Sequence, residues 1–213
     1  MVGNLFLQNI LRAYFPGYSS RHGLPLKHLK AADALMSCRT EEQGHSLYVC
    51  PEDNTPLQIN HSCRHRSCPA CAARKQAQWL NQQQQKLLPC GHYHMVFTLP
   101  HEYQLLWQYN TAWFSKTLFR ACQETLLELL SDPKYLGVQP GIIMVLHTWG
   151  RQLNLHPHLH CLVTAGGMDQ QGEWKSVADE FMLPIRVVKV VYRGKVQAMI
   201  KQALNNAEDK ERV

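Results

Sequence analysis

The 213-residue sequence has no long hydrophobic run and no N-terminal basic region ahead of an apolar core. A membrane-spanning helix needs roughly 18 apolar residues, whereas the longest apolar stretches, such as 141–146, have only the length of a strand. The N-terminus therefore predicts no secretory signal. With 45 % hydrophobic residues the chain is not disordered. These absences exclude membrane, secreted and disordered classes and leave a cytoplasmic protein of one or two domains.

Positive charge is concentrated in the first half of the chain. Residues 1–90 hold ten Lys and Arg against five Asp and Glu, whereas residues 91–213 hold twelve against eleven. Lys and Arg side chains bind nucleic acids because they release the counterions condensed on phosphates. The bias is compatible with a nucleic-acid partner, although ordinary enzymes share it.

Cysteines cluster in the same half, six of the eight lying between positions 38 and 90. Disulfides are not expected in a reducing compartment, and Cys68-Pro-Ala-Cys71 has the spacing that places two thiolates on one zinc ion. Inert or redox-active thiols are the alternative, and Asp53 stands where a second Cys-x2-Cys would end. His61 and His65 are expected to face DNA. The candidate ligands suffice for one or two zinc ions and are Cys38, His45, Cys50, Cys63, Cys68 and Cys71.

A boundary is expected at Pro89-Cys90-Gly91, which ends a helical pattern. It predicts an N-terminal zinc-binding and DNA-binding domain at residues 1–90 and a second domain at 91–213. Helices are predicted at 5–14, ended by Pro16, at 26–36 and at 72–88. The alternative is that the zinc module is only a scaffold for these helices. The basic residues expected to contact DNA are Arg64, Arg66, Arg74 and Lys75.

The second half alternates between strand and helix patterns. Strands are predicted at 94–99, 142–148, 158–164 and 185–192, and helices at 103–131 and 196–205. A polar tail is expected at 206–213. The pattern predicts an α+β fold in which helices pack on an antiparallel sheet.

The segment His156-Pro-His158-Leu-His160 lies on the third predicted strand of this half. On a strand, residues i and i+2 project from one face, so His158 and His160 form half of a divalent-cation site. A cation held there would polarise a phosphodiester. His147 is the first choice for a third ligand, with His156 and His94 behind it. Alternatively, the histidine pair is incidental.

Several ordered segments resemble the HUH nucleases, and more closely the two-tyrosine transposases of the insertion sequence ninety-one type, which carry an N-terminal zinc-binding domain. The resemblance implies an HUH-nuclease-like second domain, incomplete in this chain, and DNA transposition by single-strand, rolling-circle-type cleavage and strand transfer. The resemblance also implies structural Zn²⁺ and, at His158 and His160, Mg²⁺ or Mn²⁺. The partner would be DNA, single-stranded or at the insertion-sequence ends, in the bacterial cytoplasm and with the nucleoid when bound. The similar segments are 38–40 with His45, 62–71, 79–80, 87–89, 94–100, 146–150, 156–160 and 192–195.

Members of this family carry a pair of nucleophilic tyrosines after the segment that resembles Tyr192-Arg-Gly-Lys195. The chain shows no such pair before Val213, so it is expected to be an N-terminal part of a transposase without its nucleophile. Tyr192 is expected to pack against the sheet. Two other functions stay open: a zinc-dependent DNA-binding regulator or inhibitor without catalysis, and a hydrolase of small phosphoesters, which would leave the Cys-rich module unexplained.

Overall fold

The structure, a computed structural model, describes residues 3–177 and 183–211. It separates into two units, Met1–Leu87 and Leu88–Val213. The predicted α+β class is confirmed, since both units combine helices with antiparallel strands. Among the described helices, none is long and apolar enough to cross a membrane.

The first unit contains three helices and one β-hairpin. Its hairpin pairs His45 with Asn60 at the open end and Val49 with Pro56 beside the turn. The only buried apolar side chains among its described residues are Ala32, Cys38 and Cys68. Because so little apolar surface is buried, another interaction must supply much of its stability. The elements are α1 (Gly3–Ser19), α2 (Leu26–Ser37), β1 (His45–Val49), β2 (Pro56–Asn60) and α3 (Pro69–Gln84).

Two helix boundaries in this unit differ from the prediction. α1 was predicted to end before Pro16 but continues to Ser19, and the Pro16 carbonyl accepts a hydrogen bond from the Ser20 N–H at 3.1 Å. A proline removes only its own N–H and the chain can resume helical bonding one turn later. α3 begins at Pro69 rather than at residue 72, because proline suits the first position of a helix. The earlier start places Cys68 and Cys71 at its first turn.

The second unit is built on a four-stranded antiparallel sheet. Its order is β3–β5–β4, and β6 pairs with the far end of β5. The helix predicted over 103–131 is interrupted at Asn110, whose φ of −128° and ψ of 36° are not helical. The elements are β3 (His92–Thr98), α4 (Gln104–Tyr109), α5 (Thr111–Ser131), β4 (Gln139–Trp149), β5 (Leu155–Met168), β6 (Trp174–Ser176) and α6 (Ile185–Glu211).

One face of this sheet forms the hydrophobic core with α5 and α6. Leu159, Cys161 and Val163 of β5 are fully buried, and so are Leu118 and Leu126 of α5. Residues alternate between the two faces of a strand. The alternating residues of β5, including His158 and His160, therefore lie on the opposite face.

The prediction of a strand at 185–192 is wrong, because these residues begin α6. The β-branched side chains of Val187, Val188, Val190 and Val191 suggested a strand. However, Val188 and Val196 are buried and lie on the same helical face as Tyr192, four residues from each. Packing of that face in the core outweighs the local preference. α6 extends through the expected polar tail to Glu211, and residues 212 and 213 lie outside the described residues.

Candidate metal centres and DNA-binding residues

The first candidate site is a cluster of four thiols in the first unit. Cys38, Cys63, Cys68 and Cys71 have sulfur atoms within 4.8 Å of one another. The Sγ of Cys38 lies 3.7 Å from that of Cys71 and 3.6 Å from that of Cys68, and Cys63 lies 3.7 Å from Cys71. Zinc bound by four thiolates at about 2.3 Å requires sulfur–sulfur separations of about 3.8 Å. The four residues therefore fit a tetrahedral zinc ion.

Backbone contacts hold the thiols in place. In α1, Gln8 is buried, and its Nε2 donates to the carbonyl oxygens of Met36 and Cys38 at 2.7 and 3.0 Å. The Arg39 N–H donates to the His61 carbonyl at 3.0 Å, which ties the end of α2 to the hairpin. The His65 N–H donates to the Cys63 sulfur at 3.5 Å. Such N–H to sulfur bonds stabilise thiolates.

The pKa values of these thiols reflect burial and mutual contact. Burial raises the pKa of Cys38, and it raises the pKa of Cys63 to about 12. At Cys71 burial also acts to raise the pKa, but contact with Cys38 and the Arg64 backbone N–H outweigh it and lower the value. A cation that takes all four as thiolates must displace protons from this cluster.

The structure does not bring His45 or Cys50 into this cluster. The cluster lies at the open end of the hairpin, where Cys38 precedes the Arg39–His61 hydrogen bond and Cys63 follows β2. Cys50 lies at the other end of β1, beside the turn, and its thiol contacts the Asp53 carboxylate. Five extended residues span about 16 Å, which separates Cys50 from the other thiols. His45 is exposed and pairs with Asn60.

The predicted DNA-contacting residues are all exposed. Arg64 and Arg66 lie in the loop between β2 and α3, and Arg74 and Lys75 lie on α3. Neither His61 nor His65 belongs to the thiol cluster. The Nε2 of His61 lies 2.8 Å from the Ser46 hydroxyl, and the Nδ1 of His65 accepts from the Ser67 N–H at 3.2 Å.

The second candidate site lies on the face of the larger sheet away from the core. His147 of β4 is directly opposite His158 of β5. With His160, two residues further along β5, these imidazoles have nitrogen atoms within 4.8 Å of one another. The ring centroids of His147 and His160 are 4.3 Å apart, and those of His158 and His160 are 4.9 Å apart. Three nitrogen donors thus converge on one point, which a divalent cation can occupy.

Two further histidines orient this cluster. The Nδ1 of His158 lies 2.6 Å from the carbonyl oxygen of His156, so it donates to that oxygen and leaves Nε2 free for a cation. The Nε2 of His94 lies 2.7 Å from the Nδ1 of His160; in the tautomer of His160 that donates from Nδ1 to His94, its Nε2 is available to a cation. His156 and His94 thus contact the histidines of the cluster by hydrogen bonds, and His147 remains the candidate for the third ligand.

The electrostatics of the histidine cluster favour cation binding. Burial lowers the pKa of His160, and positive charge on His147, His158 and His94 would lower it further. The ring therefore stays neutral at pH 7, which a nitrogen ligand requires. Three imidazoles are softer donors than carboxylates. Of the two cations that the family resemblance implies, such a donor set suits Mn²⁺ better than Mg²⁺.

Tyr192 lies on the opposite side of the sheet from the histidines. It belongs to α6 rather than to a strand, and its ring contacts the edge of Phe97 at a centroid distance of 5.0 Å. Burial raises the pKa of its hydroxyl, and Cys122 and Cys161 raise it further. The residue packs against the sheet with its hydroxyl protonated, on the side away from the histidine cluster.

Replacing Tyr192 with phenylalanine is expected to leave the free energy of unfolding equal to that of the wild type or to raise it by about 1 kcal/mol. The Tyr192 hydroxyl is the one buried side-chain polar atom without a hydrogen-bond partner among the described residues, and such a group costs about 1–3 kcal/mol. Urea denaturation followed by circular dichroism measures the change. Tyr109→Phe is the control because that ring is 85 % exposed. A loss of more than 1 kcal/mol in Tyr192→Phe would show that the hydroxyl has a stabilising partner.

Sequence reasoning missed three residues near these sites. Trp149 stacks on His147 with centroids 5.4 Å apart and an interplanar angle of 7°, and it is 54 % exposed. Its position two residues after His147 placed it on the same strand face. Arg39 and Tyr48 line a groove in the first unit. Arg39 follows a zinc-ligand candidate, but nothing in the sequence indicates that the chain folds it beside the hairpin.

Comparison with known proteins identifies two family matches, one in each part of the chain. Residues 10–99 match the family described as "Transposase zinc-binding domain", and residues 141–212 match the family described as "Putative transposase". The chain is 37 % identical over 187 residues to "Putative transposase y4qJ" of Sinorhizobium fredii, covering 87 % of this chain and 47 % of that protein. It is 35 % identical over 177 residues to "Transposase for insertion sequence element IS801" of Pseudomonas savastanoi pv. phaseolicola, covering 82 % and 42 %.

The chain spans less than half the length of these curated relatives. Among solved structures it is similar to a conjugative relaxase, TrwC, in complex with DNA, over 52 % of this chain and 42 % of that one. The identity is 17 % and the TM-score 0.43, a likeness too weak to bear on function.

Both matching families and both curated relatives are transposases, so the two units carry the sequence features of that class. Within it, the chain belongs to the insertion sequence ninety-one type of transposases. The family predicted from the sequence is thereby confirmed. The match to the zinc-binding domain includes the four clustered cysteines, and the match to the second family includes the three clustered histidines.

Proposed function

We propose that this chain provides the DNA-binding zinc unit and the cation-binding part of the catalytic centre for DNA transposition by single-strand, rolling-circle-type cleavage and strand transfer. The observation that carries the proposal is the convergence of His147, His158 and His160 on the side of the sheet away from the core, in a chain of the transposase family. The proposed DNA is single-stranded or an insertion-sequence end, and binding to it would place the protein on the bacterial nucleoid.

In this function the histidine cluster holds Mn²⁺ or Mg²⁺ and presents it to a backbone phosphate. Such a cation, when bound, polarises the phosphodiester and neutralises charge that develops on it. The His156 carbonyl and His94 hold the rings of His158 and His160 in the required orientation. The exposed indole of Trp149 offers a surface on which a base next to that phosphate can stack.

The remaining roles follow from the family and from the charge of the first unit. Tyr192 is not proposed as the nucleophile, because it packs against the core with its hydroxyl buried; the family resemblance assigns the attack to a pair of tyrosines. The thiol cluster is proposed to bind structural Zn²⁺. Arg64, Arg66, Arg74 and Lys75 are proposed to contact DNA phosphates from the surface that the zinc ion stabilises.

The affinity of this chain for a fluorescein-labelled single-stranded oligonucleotide is expected to rise about tenfold when Mn²⁺ is added. The cation at the histidine cluster would add a phosphate contact to those made by the first unit. Fluorescence anisotropy measures the dissociation constant of the zinc-loaded protein, first in buffer without added divalent cation and then with excess Mn²⁺; no chelator is used, because it would remove the structural zinc. Potassium at matched ionic strength is the control, because added salt alone weakens phosphate binding. Equal affinity with and without Mn²⁺ would favour the regulator predicted as the alternative.

A further inference from the structure

The first unit contains a groove in which Arg64, already proposed to contact DNA, lies beside residues that have no role assigned above. It encloses about 840 Å³ between the hairpin and the loops that carry Cys38 and Cys63. It is lined by two arginines, Arg39 and Arg64, and by the tyrosine Tyr48. One other lining residue, Ile59, is aliphatic. The remaining lining residues are polar: Gln43, Ser46, Gln58, Asn60, His61 and Ser62.

Both arginines hold a backbone conformation that glycine would adopt more easily. Arg39 has φ of 61° and Arg64 has φ of 52°, in the left-handed region that costs a residue with a side chain roughly 1–2 kcal/mol. Each directly follows a cysteine of the thiol cluster. Uncommon backbone conformations of this kind are concentrated at functional sites. Both conformations occur in the turns that carry thiols of the cluster, so the cluster fixes the backbone from which the two guanidinium groups extend.

The groove has the chemistry of a site for an unpaired nucleotide strand. Arginine guanidinium groups match phosphate oxygens in geometry and charge, and no Asp or Glu lines the groove to oppose them. Tyr48 is 56 % exposed, so its ring can stack on a base. The amides of Gln58 and Asn60, 3.1 Å apart, can donate to and accept from a base edge. Base edges and faces are accessible together only when the base is not paired.

We infer that this groove binds a short single-stranded DNA segment, with Arg39 and Arg64 on its phosphates and Tyr48 stacked on a base. The inference rests on the proposed function for the class of its ligand and extends it to a defined subsite. Both arginines directly follow zinc-ligand candidates. A zinc ion bound by those cysteines would therefore fix the positions of the two arginines relative to each other. Arg66, Arg74 and Lys75 do not line this groove and are separate contacts.

Glycine substitutions test the subsite without weakening the fold. Arg39→Gly and Arg64→Gly remove the guanidinium groups and also relieve the left-handed conformation. Each variant is expected to lower the affinity for a labelled single-stranded oligonucleotide about tenfold at 0.1 M salt. At this ionic strength the Debye length is about 10 Å, so close contacts between arginine and phosphate are only weakly screened. The slope of log affinity against log salt should become shallower by about 0.7 for each variant. Thermal unfolding and zinc content should match the wild type.

The control variants separate charge and backbone from the subsite. Asn54→Gly changes a left-handed residue with φ of 55° outside the groove, and Lys27→Ala removes an exposed charge from α2. Both are expected to leave the affinity within twofold. Tyr48→Ala should lose about tenfold and Tyr48→Phe should retain wild-type affinity, because stacking needs the ring and not the hydroxyl.

Two outcomes would overturn the inference. One is full affinity in the Arg39→Gly, Arg64→Gly double variant with its zinc retained. The other is a double-stranded oligonucleotide that binds as tightly as the single strand and is insensitive to Tyr48→Ala. All these measurements are made in EDTA-free buffer with zinc-loaded protein and no Mn²⁺. A failure of the histidine-cluster proposal, seen as no gain from Mn²⁺, is therefore distinct from a failure of the groove.

Discussion

Replacing Cys68 with serine is expected to remove the zinc ion from the first unit and unfold it. Cys68 is 1 % exposed and is the N-cap residue of α3. Serine is well tolerated at an N-cap, so the substitution removes a ligand without disturbing the helix start. The only other buried apolar side chains described in the unit are Ala32 and Cys38. Structural zinc contributes about 10–16 kcal/mol to the folding of small domains. With so little apolar burial to replace it, the unit should not fold.

Zinc content by elemental analysis and thermal unfolding by circular dichroism test this expectation. The wild-type chain should hold one zinc ion at the four thiols, and Cys68→Ser should lose it. The unfolding signal of the second unit should persist, because its core is formed by its own sheet with α5 and α6. Cys50→Ser is the matched control, since that thiol lies beside the hairpin turn. A loss of zinc in Cys50→Ser equal to that in Cys68→Ser would show that the ligand set is wrong.

The cysteine positions show where sequence reasoning succeeds and where it stops. The proximity of Cys68 and Cys71 follows from their spacing at a helix start, which is a local property. Whether Cys38 or Cys50 joins them depends on which end of the hairpin each one occupies. β1 extends from the cluster towards the hairpin turn, so Cys50 at its far end lies away from the other thiols. The pairing of β1 with β2 determines which of the two cysteines joins the cluster, and the spacing of cysteines along the sequence does not predict that pairing.

The histidine cluster was more predictable because it depends on strand periodicity. His158 and His160 share a face on any extended strand, and the structure has both on β5. The position of His147 opposite His158 depends on the register of β4 with β5. The sequence suggested that the two strands pair but did not determine this register. The roles of His94 and His156 likewise required atomic distances.

α6 shows the opposite case, in which a local pattern is misleading. The valines at its start favour a strand, and they outweighed the four-residue spacing of Val188, Tyr192 and Val196. In the structure the Pro184 carbonyl accepts hydrogen bonds from the N–H groups of Val187 and Val188 at 2.9 and 3.1 Å, at the start of the helix. The Lys195 ammonium then lies 2.6 Å from the Glu128 carboxylate of α5. Tertiary packing on α5 thus decides the conformation of this segment.

Replacing His158 or His160 with glutamine is expected to weaken Mn²⁺ binding at least a hundredfold. Each ring supplies one of three nitrogen donors within 4.8 Å of one another, and two donors hold a divalent cation far less tightly than three. Both side chains lie on the sheet face away from the core, so the variants should keep their fold. Isothermal titration calorimetry, or the electron paramagnetic resonance signal of free Mn²⁺, measures the affinity at pH 7.5.

Substitution of the neighbouring histidines identifies the third ligand. His147→Gln should lose as much affinity as the variants of the β5 pair. His94→Gln should lose about tenfold, because outer hydrogen-bond partners of metal ligands typically contribute 10–100-fold. His156→Gln should change little, since that residue acts through its backbone carbonyl. If His94→Gln abolishes binding and His147→Gln does not, the cation lies on the β3 side of β5 and His94 is the third ligand. Unchanged Mn²⁺ affinity in the His158 and His160 variants would show that the histidine cluster does not bind the cation, and would refute the phosphate-polarising role proposed for it.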